Sequence, residues 1–228
     1  MRGYGQFCPV TQAAEVITER WTPLVIRELL SGSHRFNDIQ RSVPLMSPAL
    51  LAKRLRTLER AGVIERRPLP GGGHEYHPTQ AGEELRPWIE AMGVWGQRWA
   101  RRGISPGEAD PALLMWDMRR NINLGRLPER RVVVYFNYRD VPKGKRSWWL
   151  VLQRPEPELC LHDPGYGVDL TVRTEAATMA GVWMGDLDLA GAIRGQMIVL
   201  DGPTHLTRAF PDWLGLNPLA GVERPSRA

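Results

Sequence analysis

The sequence predicts an α+β protein in two parts: an N-terminal winged helix-turn-helix, then a five-stranded, mainly antiparallel sheet with packing helices. Three observations predict it. A leucine-striped helix with a basic outer face is followed directly by a hairpin with a glycine turn. The excess positive charge lies wholly in one half of the chain. The second half replaces helical periodicity with short β-rich runs between helices, the pattern of an α+β domain.

The organising stretch is Arg35–Arg67, RFNDIQRSVPLMSPALLAKRLRTLERAGVIERR. Leu51, Leu55 and Leu58 recur at steps of four and three, one face of a helix. Ser47 is placed to accept a free first-turn N–H, and Pro48 suits the first helical position, where no N–H is needed. The opposite face carries Ala49, Ala52, Lys53, Arg56 and Arg60, with Arg54 beside them. Small residues near the start, then cations, fit a DNA major groove. Alone, such a helix also fits an ordinary solvated basic face. The residues downstream of the helix favour the major groove. Ala61-Gly62 ends the helix, VIERRPL reads as a strand, Pro70-Gly71-Gly72-Gly73 as a turn and HEYHP as the returning strand.

Upstream, residues 10–18 and Trp21–Leu30 read as helices, the second capped by Thr22 with Pro23 in its first turn, and Asn37–Ser42 as a short third. Downstream, Thr79–Arg102 reads as one helix kinked near Pro87. Along it Leu85, Trp88, Met92, Trp95 and Trp99 follow steps of three and four, a seam for a homodimer; packing on the chain's own core is the competing reading.

Residues 1–103 hold 15 Lys+Arg against 10 Asp+Glu, and residues 104–228 hold 15 of each. A polyanion partner, double-stranded DNA, is therefore expected for the N-terminal half alone. Cys8 and Cys160 are far apart, and no Cys/His cluster has metal-ligand spacing, so neither a metal nor a cofactor is expected. No run approaches transmembrane length and the N-terminus lacks a signal-peptide core, so a cytoplasmic protein without membrane contact is expected. Nucleophile, zinc-protease, P-loop and dinucleotide motifs are missing, which argues against an enzyme. The glycines at 71–73 lack a phosphate cradle's lysine, and His74 and His77 lack a third ligand. His162, Asp163 and His205 read as turn residues, and Asp186 and Asp188 as helix caps.

Residues 103–111, GISPGEADP, mark a boundary. Beyond it Pro111–Leu124 reads as a helix with Leu114, Met118 and Ile122 on one side. RVVVYFNY, SWWLVLQ, ELCLHD, VDLTVRT and MIVLDG read as strands, Glu175–Met184 and Leu187–Arg194 as helices, and a last helical segment lies near FPDWLG. The domain expectation is 1–103, a linker 104–110, a second domain 111–215 and a flexible tail 216–228.

The first part resembles the HxlR family of bacterial winged-helix regulators. Cys8-Pro9-Val10, Arg20-Trp21-Thr22, IRELL at 26–30, RFNDI at 35–39, LRTLERAGVI after Ser47 and YHPTQAG at 76–82 carry the likeness. Arg20 stands where the family commonly has glycine. The resemblance implies homodimers on pseudo-palindromic DNA and, in some members, a redox-responsive cysteine near the N-terminus. Cys8 is that candidate: it precedes a helix, with Arg2 near in sequence, and an unreactive packed thiol is the alternative. With the Ser47 helix in the major groove, Ser47, Pro48, Ala49, Ala52 and Lys53 lie nearest the bases, and Arg54, Arg56, Arg60, Arg67 and His74 are candidates for phosphates or the adjacent minor groove.

The second part resembles the sterol carrier protein family through GDLDLAGAIRGQMIVLDGP at 185–203 and LTRAFPDWL after it. This implies an apolar tunnel for a hydrophobic small-molecule ligand, with Leu114, Met118, Ile122, Met179, Val182 and Trp183 as its candidate lining. The Met and Trp content of this half suits either a cavity or a plain core. The expected function is a dimeric, sequence-specific transcription regulator with a ligand-sensing second domain. The competing readings are a lipid-binding protein dimerised by its winged part and a thiol sensor acting through Cys8.

Overall fold

The computed structural model describes residues 3–100, 102–105 and 108–223. It divides into two compact units, Met1–Gly96 and Gln97–Ala228. Arg2, the cation expected near Cys8, part of the expected linker and residues 224–228 of the expected tail lie outside the described residues.

The first unit runs α1 (Pro9–Ile17), α2 (Thr22–Leu30), α3 (Phe36–Ser42), α4 (Pro48–Arg60), β1 (Ile64–Pro68), β2 (His74–Pro78), α5 (Gln80–Glu83) and α6 (Arg86–Trp95). Its core gathers Val25, Ile26 and Leu29 of α2, Ile39 of α3, and Leu51, Leu55 and Leu58 of α4. The leucine stripe thus does what its spacing predicts. Met46, just before the Ser47 cap, and Leu51, in the helix's second turn, are buried in the same cluster, the arrangement of a hydrophobic staple.

α4 ends as its sequence asks. Gly62 takes φ 72°, and the N–H groups of Val63 and Gly62 donate to Leu58 O (3.0 Å) and Glu59 O (3.0 Å). This double bond pattern needs a left-handed residue at its centre, so glycine belongs there. The chain then enters β1, which pairs antiparallel with β2 from Ile64↔Pro78 to Pro68↔His74. The start of α2 differs from expectation. Trp21, in a left-handed conformation, holds the N-cap position, while Thr22 is the first helical residue and its buried hydroxyl makes no hydrogen bond among the described residues.

The single helix expected over Thr79–Arg102 is broken. Thr79 caps the short α5, the chain restarts at Leu85, ahead of Pro87, and Gly96–Ala100 winds as a π-helical turn.

The second unit runs α7 (Pro111–Arg120), β3 (Val132–Tyr138), β4 (Ser147–Leu152), β5 (Glu158–Cys160), β6 (Leu170–Thr174), α8 (Ala176–Trp183), α9 (Leu189–Arg194), β7 (Val199–Asp201) and α10 (Thr204–Trp213). The strand order is β5-β4-β3-β6-β7. The expectation of a mainly antiparallel sheet is corrected: the sheet is mixed, because central β3 and β6 run parallel from Val134↔Leu170 to Tyr138↔Thr174. The chain leaves β5 at one edge, recrosses through 161–169 and enters β6 beside β3. Asp169 fixes that entry, since its N–H donates to Val133 O while its carboxylate accepts from Val133 N at 2.9 Å. Alternating burial identifies strands but carries no direction.

Two further boundaries move. The helix expected to reach Leu124 stops at Arg120, and Ile122 is buried through a bridge to Leu214 instead. Residues 216–223 of the expected tail continue the fold: Asn217 N donates to Trp183 O (2.9 Å), and a side chain at Gly185 would strike Ala220 O.

Candidate nucleic-acid interface

The outer face of α4 is bare. Ser47, Pro48, Ala49, Lys53, Arg56 and Arg60 are exposed or half-buried and Ala52 is half-buried. Ser47 Oγ accepts from Leu50 N at 3.3 Å, the cap the sequence predicts. Lys53, Arg56 and Arg60 make no ion pair among the described residues, so three cations with flexible stems stand free along one helix.

Arg54 does not join them. It is 5 % exposed, its Nε donates to Arg20 O (3.2 Å) and its Nη2 lies 2.7 Å from Glu19 Oε1. The expectation that it meets phosphate is corrected: residue 54 faces inward toward the α1–α2 turn and ties α4 to it. Arg67 is exposed in the wing but donates to Glu65 through Nε at 2.8 Å, so it reaches a phosphate only by leaving that pair.

The wing tip carries positive φ at Gly71, Gly72 and Gly73 (93°, 100° and 87°), a run that only glycines adopt without strain. His74 is exposed at the start of β2. The wing is held at its base: Tyr76 N donates to His34 O (2.8 Å), and the His34 and His77 rings stack at 4.1 Å. His77 Nε2 lies 3.1 Å from Glu75 Oε2, and this contact draws the Glu75 pKa below the usual carboxylate value, with a smaller contribution from Arg35. Sequence reasoning missed Leu45, which is 88 % exposed in the turn leading into α4. Its one signal is an apolar residue between Pro44 and the helix cap with no periodic partner.

The expected dimer seam divides. Leu85 and Trp88 pack against the first unit's own core, which corrects their assignment to a partner. The restart of the helix at Leu85 turns these two inward. Met92, Trp95 and Trp99 remain 40 %, 59 % and 57 % exposed. At the other end of the unit, Phe7 is 95 % exposed and α1 buries no residue.

Cys8 is exposed at the N-cap of α1. The N–H groups of Thr11 and then Val10, at the open first turn, draw its thiol pKa below the ordinary value, although the neutral thiol makes no capping bond. Cys160 is half-buried, and burial followed by the Glu158 charge raises its pKa.

In the second unit Leu114, Met118, Ile122, Met179, Val182 and Trp183 are all buried in one apolar cluster. Their expected role as a tunnel lining is corrected to that of packed core, because the sheet face formed by Val132, Val134 and Phe136 fills the space opposite them. An open groove of about 530 Å³ lies elsewhere, lined by Ile193, Ile198 and Leu200 together with the polar Gln196, Thr207 and Arg208, and by none of those six. Tyr138, fully buried, donates to Met115 Sδ at 3.0 Å, and its desolvation raises the phenol pKa beyond any physiological range. Among the described residues no His/Cys/Asp/Glu cluster is placed to hold a metal, and no helix is long and apolar enough to cross a membrane.

A capped helix with a bare basic face, a preceding helix pair and a glycine-tipped hairpin in this order make a winged helix-turn-helix, the fold of a class of DNA-binding transcription regulators. The HxlR-like helix-turn-helix family matches residues 16–103. The chain is 33 % identical over 97 residues to the uncharacterised HTH-type transcriptional regulator YvaP of Bacillus subtilis, covering 41 % of this chain and 90 % of that protein. It is 31 % identical over 99 residues to the HTH-type transcriptional regulator YodB of the same organism, covering 42 % and 88 %. Among solved structures, the reduced form of YodB from B. subtilis matches at 30 % identity and a TM-score of 0.37, over 42 % of this chain and 97 % of that one. The chain belongs to the HxlR-like helix-turn-helix family.

Proposed function

We propose that the protein is a sequence-specific regulator that binds operator DNA as a homodimer, with α4 in the major groove. Ser47, Pro48, Ala49, Ala52 and Lys53 meet base edges, while Arg56, Arg60, Arg67 and His74 meet the backbone. The carrying observation is the face of α4: small residues at its start, then three cations with no ion pair among the described residues. Met92, Trp95 and Trp99 supply the dimer contact, since three large exposed side chains on one run need a cover. The test is competition binding, in which Ala49→Glu removes preference for a selected operator over unrelated DNA while the protein stays folded. Unchanged preference would refute the assignment of α4.

The second unit is read as a sensor of a hydrophobic small molecule. The resemblance to sterol carriers and the open groove beside β7 support this, and the ligand then sits against Ile193, Ile198 and Leu200. Its volume lies in the range of small-molecule sites. Ligand binding controls DNA only where it favours one arrangement of the recognition helices over another. A tryptophan-fluorescence titration with a long-chain alcohol, repeated with Ile198→Trp to fill the groove, tests it; equal responses refute the location.

A second reading, thiol regulation through Cys8, is favoured by that residue's exposure and lowered pKa. It predicts that oxidation weakens operator binding in the native protein and leaves Cys8→Ser unaffected.

A further inference from the structure

We infer that the turn joining β3 to β4 in the second unit is an additional contact for the phosphate backbone of duplex DNA outside the operator core. The inference rests on the DNA-binding reading but uses different residues. Residues 139–146, RDVPKGKR, place four cations and one acid in a single turn of a unit whose charge otherwise balances.

The acid is committed elsewhere. Asp140 Oδ1 accepts from Ala176 N (2.6 Å) and Oδ2 from Ala177 N (3.2 Å), so its carboxylate caps α8. Arg146 Nε donates to Val141 O (2.8 Å), and the Arg146 carbonyl accepts from Tyr138 N, which holds the turn closed. Lys145 Nζ lies 3.2 Å from Asp110 Oδ2, an exposed lysine beside a half-buried carboxylate, so solvent screens part of the pair. Arg139 and Lys143 are exposed and make no ion pair or side-chain hydrogen bond among the described residues.

Gly144 supplies an independent observation. It stands between Lys143 and Lys145, its φ lies outside the left-handed region, and a Cβ built there meets nothing within 4 Å. Neither backbone conformation nor packing calls for glycine at this tip. The bare tip leaves the backbone and its flanking cations free to come close to another surface. That surface is polar, because Val141 is buried and the turn exposes no large apolar side chain that would enter a lipid layer. A regular array of phosphates is the chemistry such a turn fits, and this chain already carries a helix for duplex DNA.

The test uses the full chain and two duplexes: an operator core selected from a random pool by the wild-type protein, and the same core with one helical turn, about ten base pairs, added on each side. The wild type is expected to bind the longer duplex several-fold more tightly, with a salt slope steeper by about 0.9 per phosphate neutralised. Arg139→Glu/Lys143→Glu removes that advantage and keeps the affinity for the short duplex. Gly144→Asp, which has room for its side chain, does the same, and unchanged melting temperatures certify both folds. Equal wild-type affinity for the two duplexes, or an advantage that survives in both variants, overturns the inference. The same variants are measured on a long unrelated duplex, where a lower salt slope is still expected. If the wild type shows no operator preference at all, the regulator reading fails, and this last slope alone decides the fate of the turn.

Discussion

Arg54 Nη2 lies 2.7 Å from Glu19 Oε1, with Arg54 Nε on the Arg20 carbonyl, so a charge at the middle of α4 is used to position that helix. Glu19 is about one-third exposed, so solvent screens part of the pair. The geometry separates Arg54 from its neighbour Arg56. Arg54→Ala should lower the stability of the first unit by roughly 2 kcal/mol, the scale for losing hydrogen bonds to a charged group. Arg56→Ala should leave stability unchanged and reduce the salt slope of DNA binding by about 0.9. Denaturant melts and salt titrations of both variants check this. Equal stabilities would mean that Arg54 is not a tether.

Gly82 sits where a Cβ would strike Val63 O and lie 3.1 Å from Pro78 Cβ. Thr79 Oγ1 meanwhile bonds Gly62 O at 2.6 Å and accepts from Gly82 N at 3.3 Å. The segment PTQAG is therefore a clamp closing the wing against the end of α4. Gly82→Ala should destabilise the first unit by about 3 kcal/mol through overpacking. A wild-type melting temperature in that variant would contradict the clamp.

Sedimentation equilibrium tests the exposed tryptophans. Trp95→Asp should give a folded monomer that binds a palindromic operator weakly, whereas Trp88→Asp should unfold the first unit, because Trp88 packs on its own core. A dimer that persists with Asp at residue 95 would move the interface elsewhere.

The two thiols should differ in reactivity. Cys8 has a lowered pKa, so more of it is thiolate at neutral pH, and its alkylation rate should level off at a lower pH than that of an ordinary thiol. Cys160, with its pKa raised by burial, should react more slowly and level off at higher pH. Peptide mapping after timed iodoacetamide treatment distinguishes them, and equal rates would remove the basis for thiol control at Cys8.

The residues carry much of this architecture openly. Leucine spacing, Ser47-Pro48, Ala61-Gly62 and the triple glycine each act locally, so α4 and the wing are legible from their own segments. Arg54 is not, because its direction depends on Glu19 and Arg20, which come close only on folding. The parallel pairing of β3 and β6 is hidden for the same reason: alternation is a property of one strand, direction a property of two. The six residues assigned to a tunnel are apolar and buried, as their pattern predicts. An apolar pattern does not say whether the space opposite is filled, and here Val132, Val134 and Phe136 fill it.

The most direct test of the account is the affinity of wild type, Ala49→Glu and Lys53→Ala for a selected operator and for unrelated DNA at matched salt. The account predicts that Ala49→Glu abolishes the preference for operator. It predicts that Lys53→Ala reduces that preference by a factor consistent with about 1–3 kcal/mol of base discrimination, with melting temperatures unchanged. Folded variants that keep the wild-type preference would contradict the claim that this face of α4 reads DNA.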